Sequence, residues 1–486
     1  MRRVAIQAAG VLLMAATLLL GARALATSDL SQQEDAGRAL FLTGQIGTPP
    51  PYALVGAGDV RVPATAIPCA SCHGHDGRGR AERGIEPPDI TWSALSAPNE
   101  GSGRKRPPYS ETSVIRAITM GIGADGNRLD PIMPRFQLTS ADAAALLTYL
   151  KRLGTLPQPG LDDHTLVLGT VVAGPDVAVG SVLSAYFGKI NQDGGLFGRQ
   201  LELRTEKLAG GETPGRGFAR LITSDEIFAV LAPDIAGDEP GVIATADVDG
   251  MPVIGPLTSS PQAAPRSRYV FYLNGGMAAE ARALAGFATT LPGSPSIVDD
   301  GTPPWHATAV AAAAVLSAAG QIPRLSSLDD IAHIPSPGPV LWFAGQAPDQ
   351  SGLGTHTALL VPGALGAEAL SHGASAQTWI AFAAGQPDVA QDAEAKLRAF
   401  ASCYGQGVED RPSQCQALAA AKILMEALRR AGRDVTRERL VHALETLQDF
   451  HTGLIPPVSY SATRRIGSSG AWIVPFAGGE PIWWDR

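Results

Sequence analysis

The sequence predicts a multidomain chain, a small all-α domain followed by a larger α/β domain built on a parallel sheet. Three observations carry this. The chain has 486 residues, more than one hydrophobic core ordinarily organises. A C-x-x-C-H motif at Cys69, Cys72 and His73 lies among helix-like segments that end near residue 154. From Leu166 onward, short apolar runs alternate with helical patterns, as expected of strands joined by right-handed crossovers. With 45% hydrophobic and 17% charged residues, the composition is that of folded domains.

The chain begins with Arg2 and Arg3, an apolar run from Val11 to Leu20, and then Ala24-Leu25-Ala26. That basic, apolar, small-x-small order predicts a secretory signal peptide over residues 1–26, cleaved near Ala26, and hence a periplasmic protein. A retained membrane anchor is the alternative, but the run is short for a span and Arg23 follows it closely. The net charge of −8, without a clustered basic stripe, argues against nucleic acid, whose binding relies on phosphate neutralisation. Arg104 to Arg106 read as a solvated loop. Of the four cysteines, Cys403 and Cys415 form a close pair outside the motif. In an exported chain they are expected as a disulfide, worth about 3 kcal/mol by chain entropy.

C-x-x-C-H reads as covalent haem attachment: two thiols bond the porphyrin vinyl groups and the adjacent imidazole ligates iron. A zinc site would want four ligands, and no second Cys/His cluster lies nearby. The second axial ligand must come from Met120 or Met133. Met133 sits in the irregular, Pro-flanked "LDPIMPRFQLT" and is the expected ligand. Met120 ends "SVIRAITM", where Val114, Ile115 and Ile118 form a helical apolar face, and is expected in the core. His/Met ligation fills both axial positions and favours electron transfer over oxygen chemistry. A last helix opens on Thr139 and Asp142, carries Leu146, Leu147, Leu150 and Leu153, and ends at Gly154.

With "GRALF" in the opening helix, "CASCHG", "MPRF" and the closing helix, residues 30–154 resemble a class I cytochrome c domain. The resemblance implies one covalent haem c and redox partner proteins. Pro- and Gly-rich stretches ("GIEPPDITW", "NEGSGRKRPPY") interrupt the usual sequence between haem motif and distal Met.

A Pro/Gly linker covers residues 155–163. Beyond it, "LVLGTVV" reads as a buried strand, Val179 to Ile190 as a helix, and "GRQLELRTE" as the next strand. "FAVLAP", "PVIGP", "YVFYLN" and "SIVDD" continue the series, with helices such as "WHATAVAAAAVLSAAG" between strands. The segment Asn191-x-x-Gly194-Gly195-x-x-Gly198-Arg199 matches a pattern common in type I periplasmic binding proteins of the branched-chain amino acid and amide receptor group. The C-terminal "CQALAAAKILMEALRRAG" and the sequence after it resemble that family's late helices and closing strands.

For residues 164–486 the resemblance implies two α/β lobes hinged about a ligand cleft. Lobe one is expected to span Leu166 to Ala288 and return near Ala390 to Leu454. Lobe two would take the rest, including the final strands. In the resembling receptors, loops at strand ends offer hydroxyls and backbone N–H groups to a ligand carboxylate. Asp234, Thr258, Ser259 and Ser260 occupy such loops here, with Trp305 and Gln346 across the cleft. Each has a plainer reading: Thr258 to Ser260 as a loop cap, Asp234 as a helix cap, Trp305 as lobe packing. The family's Tyr-Gly after "DD" is replaced by Pro-Pro-Trp, and no acidic partner for a ligand ammonium can be placed, Glu368 being no more than a guess. Amino-acid specificity is therefore not implied.

Three functions are compatible with these parts. The favoured one is a periplasmic c-type cytochrome with a small-molecule-binding, receptor-like domain, serving a dehydrogenase or respiratory system. The second is an ABC-type solute-binding protein with an accessory haem domain, docking on a membrane permease. The third is a docking scaffold with a degenerate cleft. No Ser/His/Asp set or carboxylate dyad stands out, and "GGETPGRG" lacks the phosphate-loop lysine. An electron carrier and binding protein is expected rather than a catalyst.

Overall fold

The computed structural model describes residues 32–485, apart from 80–83, 101–104, 174–177, 225, 262–266, 329–337, 347–357, 364, 366–376, 385–410 and 477–479. The expected signal peptide, Glu368 and Cys403 lie outside the described residues. Among the described residues, no helix is long and apolar enough to cross a membrane. The chain divides into two units between Leu156 and Pro157.

The first unit opens with α1 (Gln32–Thr43). Its Leu40 and Phe41 are fully buried, and Phe41 packs on Tyr149 with ring centroids 5.4 Å apart. Strands β1 (Tyr52–Val55) and β2 (Val60–Pro63) follow, then the short helices α2 (Ala70–His73) and α3 (Trp92–Leu95). Next come α4 (Glu111–Met120), β3 (Arg135–Gln137) and α5 (Ser140–Arg152). Helix α5 starts on the expected residues: Thr139 and Asp142 form a reciprocal capping box, worth about 1 kcal/mol. Its Leu146 and Leu150 join Leu40, Phe41 and Val114 in one core.

Two expectations for this unit are corrected. It is not all-α, because β2, β1 and β3 form a three-stranded antiparallel sheet in that order. The hairpin signal was present: "YALV" and "VRVP" flank the turn "GAGD". Nor is Met120 in the core, being 61% exposed. Helix α4 buries Val114 and Ala117. At 100° per residue, Met120 lies about 120° around the helix from Val114.

The second unit contains β4 (Thr165–Val172), α6 (Ala178–Gln192), β5 (Gln200–Lys207), α7 (Pro214–Ser224), β6 (Ala229–Leu231), α8 (Glu239–Asp249), β7 (Val253–Ile254) and β8 (Val270–Asn274). It continues through α9 (Gly276–Ala288), β9 (Ser296–Asp299), α10 (Trp305–Ala318), β10 (Arg324–Ser326), β11 (Val340–Phe343), β12 (Leu359–Pro362) and β13 (Thr378–Phe382). It ends with α11 (Arg411–Ala431), α12 (Arg437–Glu445), β14 (Ile466–Ser468), β15 (Ala471–Pro475) and β16 (Ile482–Trp484).

The strands form two sheets. Lobe one holds a parallel sheet in the order β14-β8-β7-β6-β4-β5. Lobe two holds β10-β9-β11-β12-β13-β15-β16, parallel up to β13 and antiparallel beyond it. Its central strands are apolar on both faces, as a sheet covered on both sides requires. Lobe one ends at β8 rather than at Ala288, because α9 packs its Ala281, Leu284 and Ala285 into the core of lobe two. Of the final strands, β14 belongs to lobe one and β15 and β16 to lobe two. Helix α11 returns to lobe one, burying Leu418, Leu424 and Leu428 with Leu168 and Phe271.

The Asn191–Arg199 segment has a structural task. The Asn191 side chain holds both backbone groups of Leu201, at 2.9 and 2.8 Å, and so ties α6 to β5. A Cβ on Gly195 would lie 2.1 Å from the carbonyl oxygen of Arg199, so only glycine permits the turn. The Arg199 guanidinium donates to the carbonyls of Asp162 and Arg433, at 2.5 and 2.8 Å, pinning the start of the unit to the end of α11.

Candidate functional site: a haem cradle and an interlobe cavity

The haem motif forms one turn. Cys69 precedes α2, Cys72 and His73 end it, and Gly74 and Gly77 turn the chain away with positive φ. His73 is 5% exposed, and its Nδ1 lies 3.1 Å from the carbonyl oxygen of Pro88. A carbonyl only accepts, so Nδ1 carries the proton and Nε2 keeps its lone pair. Burial also pushes the imidazole below its ordinary pKa, which favours the neutral form that a metal requires. Loss of solvent around its sulfur pushes the Cys69 thiol up to about 12. Cys72 is exposed. Two thiols and one oriented neutral imidazole on a single turn fit a covalent haem. When bound, that group supplies a one-electron redox centre whose potential responds to axial ligands and burial.

Met133 is half-buried on the loop entering β3. Its N–H donates to the Asp130 carbonyl at 3.0 Å, and Gly56 of the β1–β2 turn donates to the Pro131 carbonyl at 3.2 Å. Arg135 reaches the carboxylate of Asp59 on the same turn. The small sheet thus braces the segment that carries Met133.

In the second unit, a cavity of about 590 Å³ lies between the lobes, within the size range of small-molecule sites. On one side it is walled by the carboxyl ends of lobe-one strands: Val172, Asp234, Thr258, Ser259 and Asn274. That is where open α/β sheets bind ligands. On the other it is walled by Met277 and Glu280 of α9 and by Ala383 and Ala384 after β13, and Ser413 and Gln416 of α11 also line it. At the end of β6, the buried Ala232 has φ +40°, a strained left-handed turn just before Asp234.

The structure brings together Asp234, Thr258 and Ser259. Asp234 Oδ1 accepts from the Ala236 N–H at 3.1 Å, a local turn rather than a helix cap. The Thr258 hydroxyl donates to Glu239 Oε1 and accepts from the Ser260 N–H at 3.0 Å. Ser260 serves that turn and does not line the cavity. Neither do Trp305 and Gln346. Trp305 is half-buried against both cores of lobe two, and Gln346 is exposed, its carbonyl accepting from Trp342 Nε1 at 2.7 Å. His306 bonds Asp299 at 2.6 Å on the surface.

Sequence reasoning missed Glu280. It is 9% exposed and accepts from the backbone N–H groups of Gly363 and Ala383, each at 3.0 Å. Burial raises its pKa from 4.5 to about 7, the two hydrogen bonds opposing the shift. A signal existed. Met277, Glu280, Ala281 and Leu284 fall at i, i+3, i+4 and i+7, so a carboxylate sits on the apolar stripe of its helix.

Residues 65–154 match the cytochrome c family model. The second unit is similar in fold to an ABC transporter substrate-binding protein from Desulfitobacterium hafniense, with TM-score 0.52, 17% identity, and coverage of 65% of this chain and 99% of that one. It is equally similar to a protein from Rhodospirillum rubrum described as a branched-chain amino acid ABC transporter, with TM-score 0.52, 18% identity, and coverage of 65% and 99%. No curated protein matches the chain. The chain therefore carries a cytochrome c domain at residues 65–154, with the covalent haem c such a domain holds, joined to a unit with the fold of the type I periplasmic binding proteins.

Proposed function

We propose that this is a periplasmic electron-transfer protein whose receptor-like unit binds a small molecule and whose haem serves a dehydrogenase or respiratory system. The observation that carries the reading is the presence, in one chain, of a buried His73 oriented for iron and a cavity walled by two lobes. Cys69 and Cys72 hold the haem, His73 is one axial ligand, and Met133 is the other. Asp234, Thr258 and Ser259 contribute the lobe-one wall of the ligand site. Cys415, buried at the start of α11, pairs with Cys403. The signal peptide over residues 1–26 delivers the chain to the periplasm. With both axial positions filled, the protein passes electrons and catalyses no chemistry of its own.

Stopped-flow mixing of the oxidised protein with a quinoprotein dehydrogenase and its substrate tests the electron-transfer part. Haem reduction faster than with substrate alone is expected, and its absence would remove the dehydrogenase link. Carbon monoxide should leave the reduced spectrum unchanged, since an open iron position would instead point to haem catalysis. The cavity also suits a solute receptor that delivers its ligand to a membrane permease. That reading requires ligand delivery by a haem-free Cys69→Ala/Cys72→Ala variant.

A further inference from the structure

Resting on the reading of the interlobe cavity as a ligand site, we infer that it takes a small amine, an ammonium group with further N–H or O–H donors and no free carboxylate. A ligand carboxylate needs donors, and several along the wall are committed inside the protein, while the side chains of Ser259, Asn274, Ser413 and Gln416 also line it. The Thr258 hydroxyl gives its proton to Glu239, and the Ser260 N–H is held by Thr258. The Ala236 N–H is held by Asp234. At the start of α9, the Gly276 N–H is held by the Asn274 side chain at 2.9 Å and the Met277 N–H by the Ser259 carbonyl at 2.9 Å. The Ala383 N–H is held by Glu280.

What the wall presents instead is negative. Asp234 stands on the lobe-one side and Glu280 on the lobe-two side, while Glu239 backs Thr258. No lysine, arginine or histidine is among the described residues lining the cavity. A carboxylate entering here would meet like charge and no cationic side chain among the described lining residues, whereas an ammonium would meet two acceptors from opposite lobes. Bridging Asp234 and Glu280, it would also favour the closed arrangement of the lobes.

Glu280 supplies the pH signature. Its oxygens face the N–H groups of Gly363 and Ala383 after β12 and β13, with Asp234 across the cavity and Arg282 two residues along α9. No charged side chain among the described residues shifts its titration from β12, β13, β15, β16 or α10, the elements packed on α9. An ammonium beside it favours the ionised form, so binding expels a proton and strengthens as pH rises through about 7. A ligand carboxylate would behave in the opposite sense.

The test is isothermal titration calorimetry on the full-length, haem-loaded protein at pH 6 and pH 8, in two buffers of different ionisation heat. The probes are ethanolamine and putrescine as amines, propionate as an anion, leucine as a zwitterion and 1,2-propanediol as a neutral molecule. Amines should bind more tightly than the others, more tightly at pH 8 than at pH 6, with proton release. Glu280→Gln should weaken them at least about tenfold and remove the pH dependence. Asp234→Asn should weaken them similarly, and the wild-type pH profile needs no variant to fold. Tighter binding of propionate or leucine than of the amines would overturn the inference and leave the receptor reading standing. Binding of no probe at either pH would overturn both.

Discussion

Gly37 lets α1 approach α5 so closely that a Cβ in its place would lie 2.0 Å from the carbonyl oxygen of Ala145. The contact sets the crossing at which Phe41 and Tyr149 pack with tilted rings, and hence the core beneath the haem motif. Gly37→Ala is expected to destabilise the first unit by about 1–3 kcal/mol, even though alanine is the better helix former by about 1 kcal/mol. Gly188, inside α6, has no atom within 4 Å of the equivalent position. Gly188→Ala should therefore stabilise the second unit by about 1 kcal/mol. Urea unfolding, followed at the haem absorption for one unit and by tryptophan fluorescence for the other, reads both signs.

The two methionines give the second prediction. Met133 sits on a loop braced by the β1–β2 turn, while Met120 projects from the solvent side of α4. Met133→Ala should abolish the sulfur-to-iron charge-transfer band of the oxidised protein and lower its reduction potential. Met120→Ala should leave both unchanged. Loss of the band in the Met120 variant alone would reverse the assignment.

These residues mark where the sequence could be read and where it could not. C-x-x-C-H and the capping box at Thr139 announce themselves because their chemistry depends on neighbours along the chain. The alternation from β4 to β9 is similarly local, since each apolar run needs only its own flanks to be recognised. That Asp234, Thr258 and Ser259 line the cavity was legible because they fall in the loops after β6 and β7. Glu280 was not, because its partners Gly363 and Ala383 lie 83 and 103 positions away. The direction of the Thr258 proton was equally hidden, being settled by Glu239 at the start of α8, 19 positions away. Helix α9 passed for a lobe-one element because its membership is decided by what it packs against.

Arg465 and Glu445 form an ion pair at 2.7 Å in which both side chains are almost fully buried. Arg465 also donates to the Arg268 carbonyl at 3.1 Å and lies over the Phe271 ring, so α12, β8 and β14 meet at one guanidinium. Glu445→Ala leaves that charge buried without its carboxylate and should cost about 3–5 kcal/mol. Glu445→Ala combined with Arg465→Met should recover a large part of the loss, because the uncompensated charge has gone. Chemical denaturation of the two variants and wild type completes the comparison. A double variant no more stable than the single one would show that the pair contributes mainly through packing.

Glu280 predicts how the stability of the second unit changes with pH. Its carboxyl titrates near 4.5 when the chain is unfolded and at about 7 in the folded lobe, because burial penalises the charge more than the two N–H donors relieve it. Between those values the native state binds more protons than the unfolded state, so stability falls as pH rises. The penalty is absent below about pH 4.5 and complete above about pH 7. The shift corresponds to a loss on the order of 3 kcal/mol across that window. Glu280→Gln removes the titration, though its amide can satisfy only one of the two N–H groups. The variant should therefore be the less stable protein at pH 5 and lose less stability on going to pH 8. Urea midpoints for the two proteins at both pH values measure that difference in slope. Parallel slopes would mean that a ligand or solvent reaches the carboxylate and keeps it ionised throughout.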